Sequence, residues 1–198
     1  MSPVNISLPG SIQPTGVSIG DFNGDGFLDL AVTDVLANHV RILYGGSTGF
    51  TYGPTIPTLD NPAPIALGDF TGHAAGGSGT LDIAVSNLYE NSVSIFQGSS
   101  AGAFSAWSTF AVDDGPFAIS AGNFDGSQYL DLVVGNHFGN TATIWHNSGP
   151  AGFTFTAVAI APAGDGPTFV AIGDFNGNGK MDYVTGAEYN NTVTVGLQ

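Results

Sequence analysis

The chain of 198 residues contains no cysteine. Disulfides, thiolate-bound metals and a cysteine nucleophile are therefore excluded. Basic residues are almost missing as well: Arg41 and Lys180 stand against sixteen acids, a formal net charge of −14. A surface so poor in cations cannot neutralise phosphates, which excludes nucleic acid as a partner. Docking on anionic membranes is opposed for the same reason. No apolar run approaches the ~20 residues of a membrane-spanning helix, so no membrane insertion is expected. The N-terminal MSPVNISLPG has neither a charged n-region nor an apolar h-region. A secreted form is thus expected to carry a leader outside this sequence. No stretch has a convincing helical period, and the G-x-S-x-G, H-E-x-x-H and phosphate-loop signatures are missing.

What the chain does contain is repetition. DFNGDGFLDLAV, GDFTGHAAGGSGTLDIAV, GNFDGSQYLDLVV and GDFNGNGKMDYV recur at intervals of about fifty residues. More than half of the sixteen acids lie in these segments: Asp21, Asp25, Asp29, Asp69, Asp82, Asp125, Asp131, Asp174 and Asp182. The acidity is placed, and does not form a general solubility coat. Each segment follows a short apolar run (GVSIG, PIALG, FAISAG, FVAIG) and leads into a second one (LDLAV, LDIAV, LDLVV, MDYVT). An Asn recurs next, at 38, 91, 140 and 191, before a third, alternating run. A Gly-rich turn and an outer run complete each of the first three units. Short alternating runs rich in β-branched residues and punctuated by thirty glycines are strand signals. Four strands per unit of about fifty residues are the signature of a propeller blade.

The expected fold is therefore all-β: a β-propeller of four four-stranded antiparallel blades in one domain spanning 1–198. The blades cover about 15–60, 61–114, 115–164, and 165–198 with 1–10. The N-terminal PVNISLPG is expected to close the last blade as its fourth strand and so remove open sheet edges. The alternative is that two chains form an eight-bladed ring.

These segments resemble the FG-GAP/VCBS repeats of integrin-α-like β-propellers, over essentially the whole chain. In that family the D-x-[DN]-x-[DN]-G-x-x-D loop joins the first two strands of a blade and binds calcium. Members are typically extracellular and serve adhesion, ligand recognition or scaffolding, and their propellers usually have seven blades. The resemblance implies a non-catalytic, calcium-binding module, secreted or at the cell surface.

Calcium takes six to eight hard oxygen ligands, carboxylates and backbone carbonyls among them. A tight loop with oxygen side chains at positions 1, 3, 5 and 9 turns them inward, and position 7 offers a carbonyl. In the first loop these are Asp21, Asn23, Asp25 and Asp29, with the carbonyl of Phe27. In the fourth they are Asp174, Asn176, Asn178 and Asp182, with Lys180. The third offers Asn123, Asp125, Ser127 and Asp131, with Tyr129, but has Gln128 at position 6, where the glycine of the first and fourth loops permits the turn. The second keeps Asp69 and Thr71, then runs through His73 and an insertion before Asp82. The expected order of occupancy is first, fourth, third, second. An EF-hand is excluded, because Val32 and Thr185 stand where its bidentate Glu belongs.

On the opposite face the short loops carry Tyr89 with Glu90, His137 with Phe138, and Glu188 with Tyr189. Tyr89, Phe138 and Tyr189 are candidate stacking platforms for a sugar. The bland alternative is that they pack between blades, and the recurring Asn reads as a turn residue. Protein or glycan ligands are the expected partners, with a second copy as a further one if the ring is shared. A lectin with repeated sugar pockets is the second reading. A polysaccharide-active enzyme using Asp113, Asp114, Glu90 or Glu188 is the third.

Overall fold

The computed structural model of the chain describes residues 5–8, 10, 13–72, 80–149 and 153–198. Among them it holds fifteen β-strands and no helix. The first antiparallel sheet is β1 (Pro14–Gly20), β2 (Asp29–Asp34), β3 (His39–Tyr44) and β4 (Thr51–Pro57), paired in chain order. The second is β5 (Pro62–Gly68), β6 (Asp82–Asn87), β7 (Ser92–Gly98) and β8 (Phe104–Ala111). The third is β9 (Pro116–Gly122), β10 (Asp131–Asn136), β11 (Thr141–Asn147) and β12 (Phe155–Pro162). The fourth holds β13 (Pro167–Gly173), β14 (Asp182–Ala187) and β15 (Thr192–Gly196). The fold is an all-β propeller of four blades. The innermost strands pack in sequence, β1 on β5, β5 on β9 and β9 on β13.

Among the described residues the expected closing strand is not formed. Residues 5–8 lie outside any strand, and the carbonyl of Ser7 instead accepts a hydrogen bond from the Tyr52 hydroxyl on β4. Residues 1–4 of the expected strand lie outside the described residues. Ser7 is therefore tied to the outer strand of the first blade, and the fourth blade has three strands among the described residues. Reaching β15 would require the fourth blade to seat against the first. The apolar faces that would meet there are exposed: Val17 is 62% and Val193 67% accessible.

The core lies between blades, because strand periodicity sends alternate residues to opposite faces. Ile83 and Val85 of β6 face the first blade, where Phe22, Ala31, Val40 and Ile42 meet them. Ala84, between them, joins Phe70, Val93 and Ile95 against Ile119, Leu132 and Val134 of the third blade. Phe124, Val133, Ala142 and Ile144 meet Tyr183 of the fourth. Each fully buried Val or Ile stabilises by about 1.5–3 kcal/mol, so these junctions hold the blades together. The last glycine of the inner strand makes room for the next blade. A Cβ at Gly20 would lie 2.5 Å from Leu81, at Gly68 2.5 Å from Leu130, and at Gly122 2.4 Å from Ile172.

Candidate functional site

The loop from β1 to β2 draws its side-chain oxygens onto its own backbone. Asp21 accepts from the N–H of Gly24 at 2.8 Å through Oδ1 and from that of Gly26 at 2.9 Å through Oδ2. Asn23 Oδ1 accepts from the Asp25 N–H at 3.0 Å, and Asp25 Oδ1 from the Phe27 N–H at 2.8 Å. The loop from β13 to β14 repeats this. Asp174 accepts from Gly177, Asn178 and Gly179, Asn176 from Asn178, and Asn178 from Lys180, at 2.7–3.0 Å. These N–H bonds, that of Gly179 foremost, hold the Asp174 carboxyl below the usual carboxylate range. The turn is possible because Gly24, Gly26, Gly177 and Gly179 have φ of 74–85°. A Cβ at any of them would meet nothing within 4 Å, so the backbone conformation requires glycine and steric room does not.

The ninth-position acid does something that sequence reasoning missed. Asp29, Asp82, Asp131 and Asp182 are each fully buried at 0% exposure. Each binds backbone N–H groups through both of its oxygens. Oδ2 takes the N–H of the loop phenylalanine: Phe22 at 2.8 Å, Phe70 at 2.9 Å, Phe124 at 2.8 Å and Phe175 at 3.0 Å. Oδ1 takes the N–H of a residue at the end of the third strand or just beyond it: Gly45 at 2.7 Å, Gly98 and Asn147 at 2.9 Å, and Gln198 at 2.8 Å. The acid thus ties the loop to the third strand in every blade. At Asp29, Asp131 and Asp182 each oxygen keeps a second lone pair, so this clamp and metal ligation are compatible there, whereas Asp82 Oδ2 also takes the N–H and the hydroxyl of Thr71.

Comparison with known families matches two segments of the chain. The pattern of the FG-GAP repeat matches residues 14–34, and that of the FG-GAP-like repeat matches residues 123–185. The chain carries FG-GAP repeats. Its architecture also recurs in solved structures at 16% identity, which speaks for the fold alone. BBS1N, crystallised in complex with ARL6DN and soaked with lead, matches at a TM-score of 0.63 over 95% of this chain and 58% of that one. A candidate 6-phosphogluconolactonase from Bacteroides uniformis matches at 0.66, over 92% of this chain and 49% of that one. A functionally unknown protein from Desulfotomaculum acetoxidans matches at 0.61, over 93% and 55%. The chain spans about half the length of the solved structures it matches. No curated protein sequence matches it.

The second and third loops depart from the first and fourth. In the third, Asn123 Oδ1 accepts from Gly126 at 2.7 Å while its amide donates to the Ser127 carbonyl. Asp125 accepts from the Ser127 N–H at 2.7 Å, and Ser127 Oγ accepts from the Tyr129 N–H at 3.1 Å. Only Gly126 is left-handed here, at φ 77°. His146, at the end of β11, reaches this loop: its Nδ1 lies 3.9 Å from Asp125 Oδ2. Asp125, Asp131 and His146 each offer a ligand atom within 4.8 Å of the others. Burial raises the Asp131 carboxyl despite its two N–H bonds. At Asp125 burial is outweighed by the Ser127 hydrogen bonds and by His146, and its carboxyl lies below the usual range. The signal for His146 was its place, since Tyr44, Gln97 and Leu197 occupy the same position in the other blades. Gln97 donates to Thr71 at 3.1 Å, and burial followed by the Asp29 charge raises the Tyr44 phenol.

In the second loop Thr71 donates to Asp82 from both its N–H and its hydroxyl at 2.9 Å, and Asp69 accepts from Gly72 at 2.8 Å. His73 lies outside the described residues. The fourth loop position is left-handed glycine in all four repeats, Gly24, Gly72, Gly126 and Gly177, whereas sequence reasoning had singled out the sixth.

On the opposite face the structure gathers part of the predicted platform. His137 lies 5.1 Å from Phe138, 5.4 Å from Tyr189 and 5.6 Å from Phe117, ring centroid to centroid. Phe138 and Tyr189 lie over Gly115 and Gly166, where a Cβ would sit 2.5 and 2.7 Å from their rings. Tyr89 is exposed in the corresponding turn of the second blade. Phe138 stays 52% and Tyr189 63% accessible, while Tyr189 also meets His137 of the neighbouring blade. The recurring Asn is a turn residue: Asn38, Asn91, Asn140 and Asn191 have φ of 46–58°. The first three also brace the entry to the following blade, accepting from Asn61, Gly115 and Gly166 at 2.8–3.0 Å. Trp107 lies on the outer strand β8, half exposed against Phe153.

Proposed function

We propose that this FG-GAP propeller is a calcium-stabilised recognition or scaffold module, extracellular or on a cell surface, that binds a protein or glycan partner without chemistry. The geometry of the first and fourth loops carries the reading. Asp21, Asn23 and Asp25, and Asp174, Asn176 and Asn178, curl into tight loops in which every side-chain ligand candidate is an oxygen. That donor set suits Ca²⁺. With Phe27 and Lys180 offering carbonyls, the bound ion would cancel carboxylate charge that two basic side chains in the whole chain cannot balance. The third loop fits less well, since His146 brings a nitrogen and Ser127 replaces an amide or acid. Metal held only by the folded chain stabilises it by mass action. The expected result is a lower melting temperature in chelator. Asp21→Asn and Asp174→Asn should each weaken calorimetric Ca²⁺ binding about tenfold, roughly 1.4 kcal/mol. Unchanged melting in chelator, with no binding heat in millimolar Ca²⁺, would refute it.

A glycan is the second reading of the partner, favoured by the exposed aromatic ledge of Phe138, His137 and Tyr189. Phe138→Ala should abolish glycan-array signal if this is the contact. The non-catalytic reading is supported at Asp113, whose oxygens are engaged by Thr141 Oγ at 2.6 Å and the Asp114 N–H at 2.9 Å. Turnover of a polysaccharide or a lactone by the purified chain would overturn it.

A further inference from the structure

The two ends of the blade array present the two halves of one interface. Within the chain, every junction is built alike. The forward face of a blade contributes its loop phenylalanine and two apolar residues of its third strand. Phe22, Phe70 and Phe124 are at most 5% exposed there, and Val40, Ile42, Val93, Ile95, Ala142 and Ile144 at most 2%. The fourth blade carries a phenylalanine and two valines at the same positions, yet Phe175 is 51%, Val193 67% and Val195 50% exposed. The back face of the first blade is the counterpart. Ile65 and Ile119 are each 7% exposed, but their equivalent Val17 is 62% and its neighbour Ile19 59%. Leu81 and Leu130, which press on Gly20 and Gly68 of the preceding blade, correspond to Leu28, which is 63% exposed. At Gly173, the equivalent socket of the fourth blade, a Cβ would meet only Phe175 of its own loop.

We propose that a second copy of this chain covers these faces. Leu28, Val17 and Ile19 of one copy seat on Gly173, Phe175, Val193 and Val195 of the other, and the reverse contact closes an eight-bladed ring. The occupant follows from continuity with the three junctions already built, because each end lacks the half that the other end carries. One chain supplies one free face of each kind, so two copies related by a two-fold axis along the ring satisfy both.

Light scattering on the purified chain, in Ca²⁺ and enough salt to screen its −14 charge, tests this. The expected mass is twice 20.1 kDa. Leu28→Asp spoils only the back face and Val193→Asp only the forward face. Each variant alone should run as a monomer with an unchanged circular dichroism spectrum. An equimolar mixture should recover a two-copy species, because one good junction remains. A monomeric wild type overturns the proposal, as does a mass above two copies or a mixture that stays monomeric. Should a variant fail to fold, the wild-type mass and its scattering radius still decide. Calcium binding is measured separately, so failure here leaves the function reading standing.

Discussion

Asp82→Asn isolates the carboxylate clamp from any metal. Asp82 is fully buried, and it accepts from Phe70 N–H, Thr71 N–H and Thr71 Oγ through Oδ2 and from Gly98 N–H through Oδ1. Asparagine keeps the shape but has one oxygen. If that oxygen faces Phe70 and Thr71, three bonds survive and the new amide N–H₂ confronts the Gly98 N–H. The opposite orientation would orphan three donors, so the first prevails. One buried N–H without an acceptor costs about 1–3 kcal/mol. Loss of charge assistance adds to this, while removal of a buried charge offsets part of it. The net destabilisation should be about 2 kcal/mol, or roughly 4–8 °C in melting temperature for a chain of this size. Urea unfolding at pH 7, followed by tryptophan fluorescence at constant m-value, measures it. The same substitution at Asp29 provides the contrast, because that clamp adjoins the loop best suited to calcium. Its cost should exceed that of Asp82→Asn in Ca²⁺ and fall towards it in chelator, whereas the Asp82→Asn cost should not change. An Asp82→Asn chain within about 0.5 kcal/mol of wild type would refute the clamp.

Other expectations follow from single residues. Asn140 combines φ 58° with a 2.8 Å bond to the Gly166 N–H. Asn140→Ala should therefore lose about 2 kcal/mol of thermal stability, and Asn140→Gly should recover the backbone share alone. Ile95, fully buried between the second and third blades, should cost about 2–5 kcal/mol on truncation to Ala, read from chemical denaturation. Asp131 has its folded carboxyl raised, chiefly by burial. The protonated form is thus the one the fold favours, and its contribution is full below the unfolded pKa and lost as pH rises through the folded one. In chelator, wild type should gain stability relative to Asp131→Asn as pH falls through the carboxylate range. A relative loss would show that its N–H bonds outweigh burial.

The strands were legible because their physics is local. Alternation in HVRIL and SVSIF gives period two, and the Asn before each run sits in the left-handed turn expected of it. The loops were legible as spacing but less so as chemistry. A carboxylate that clamps two N–H groups and one that binds an ion leave the same Asp in the sequence, and only burial with partners separates the roles. The place of His146 in the third strand was legible, but its approach to Asp125 was not, because that depends on how far β11 runs past the loop. The N-terminal strand failed for a topological reason. PVNISLPG has strand-like composition, but pairing with β15 requires the first and fourth blades to touch, and no local pattern encodes that.

The same distinction bears on the array as a whole. A blade repeat writes each junction in two halves, the forward half in one unit and the back half in the next. Selection on packing acts only where the halves meet. Phe175, Val193 and Val195 nevertheless keep the apolar character of their buried equivalents, and so do Val17, Ile19 and Leu28. An exposed apolar set of this kind on a chain otherwise so acidic invites association. The junction rule already satisfied between neighbouring blades tells which surface each end fits: a back face with a leucine knob against a forward face with a glycine socket. Self-association through these ends is thus the same packing that builds the core, applied once more across two chains.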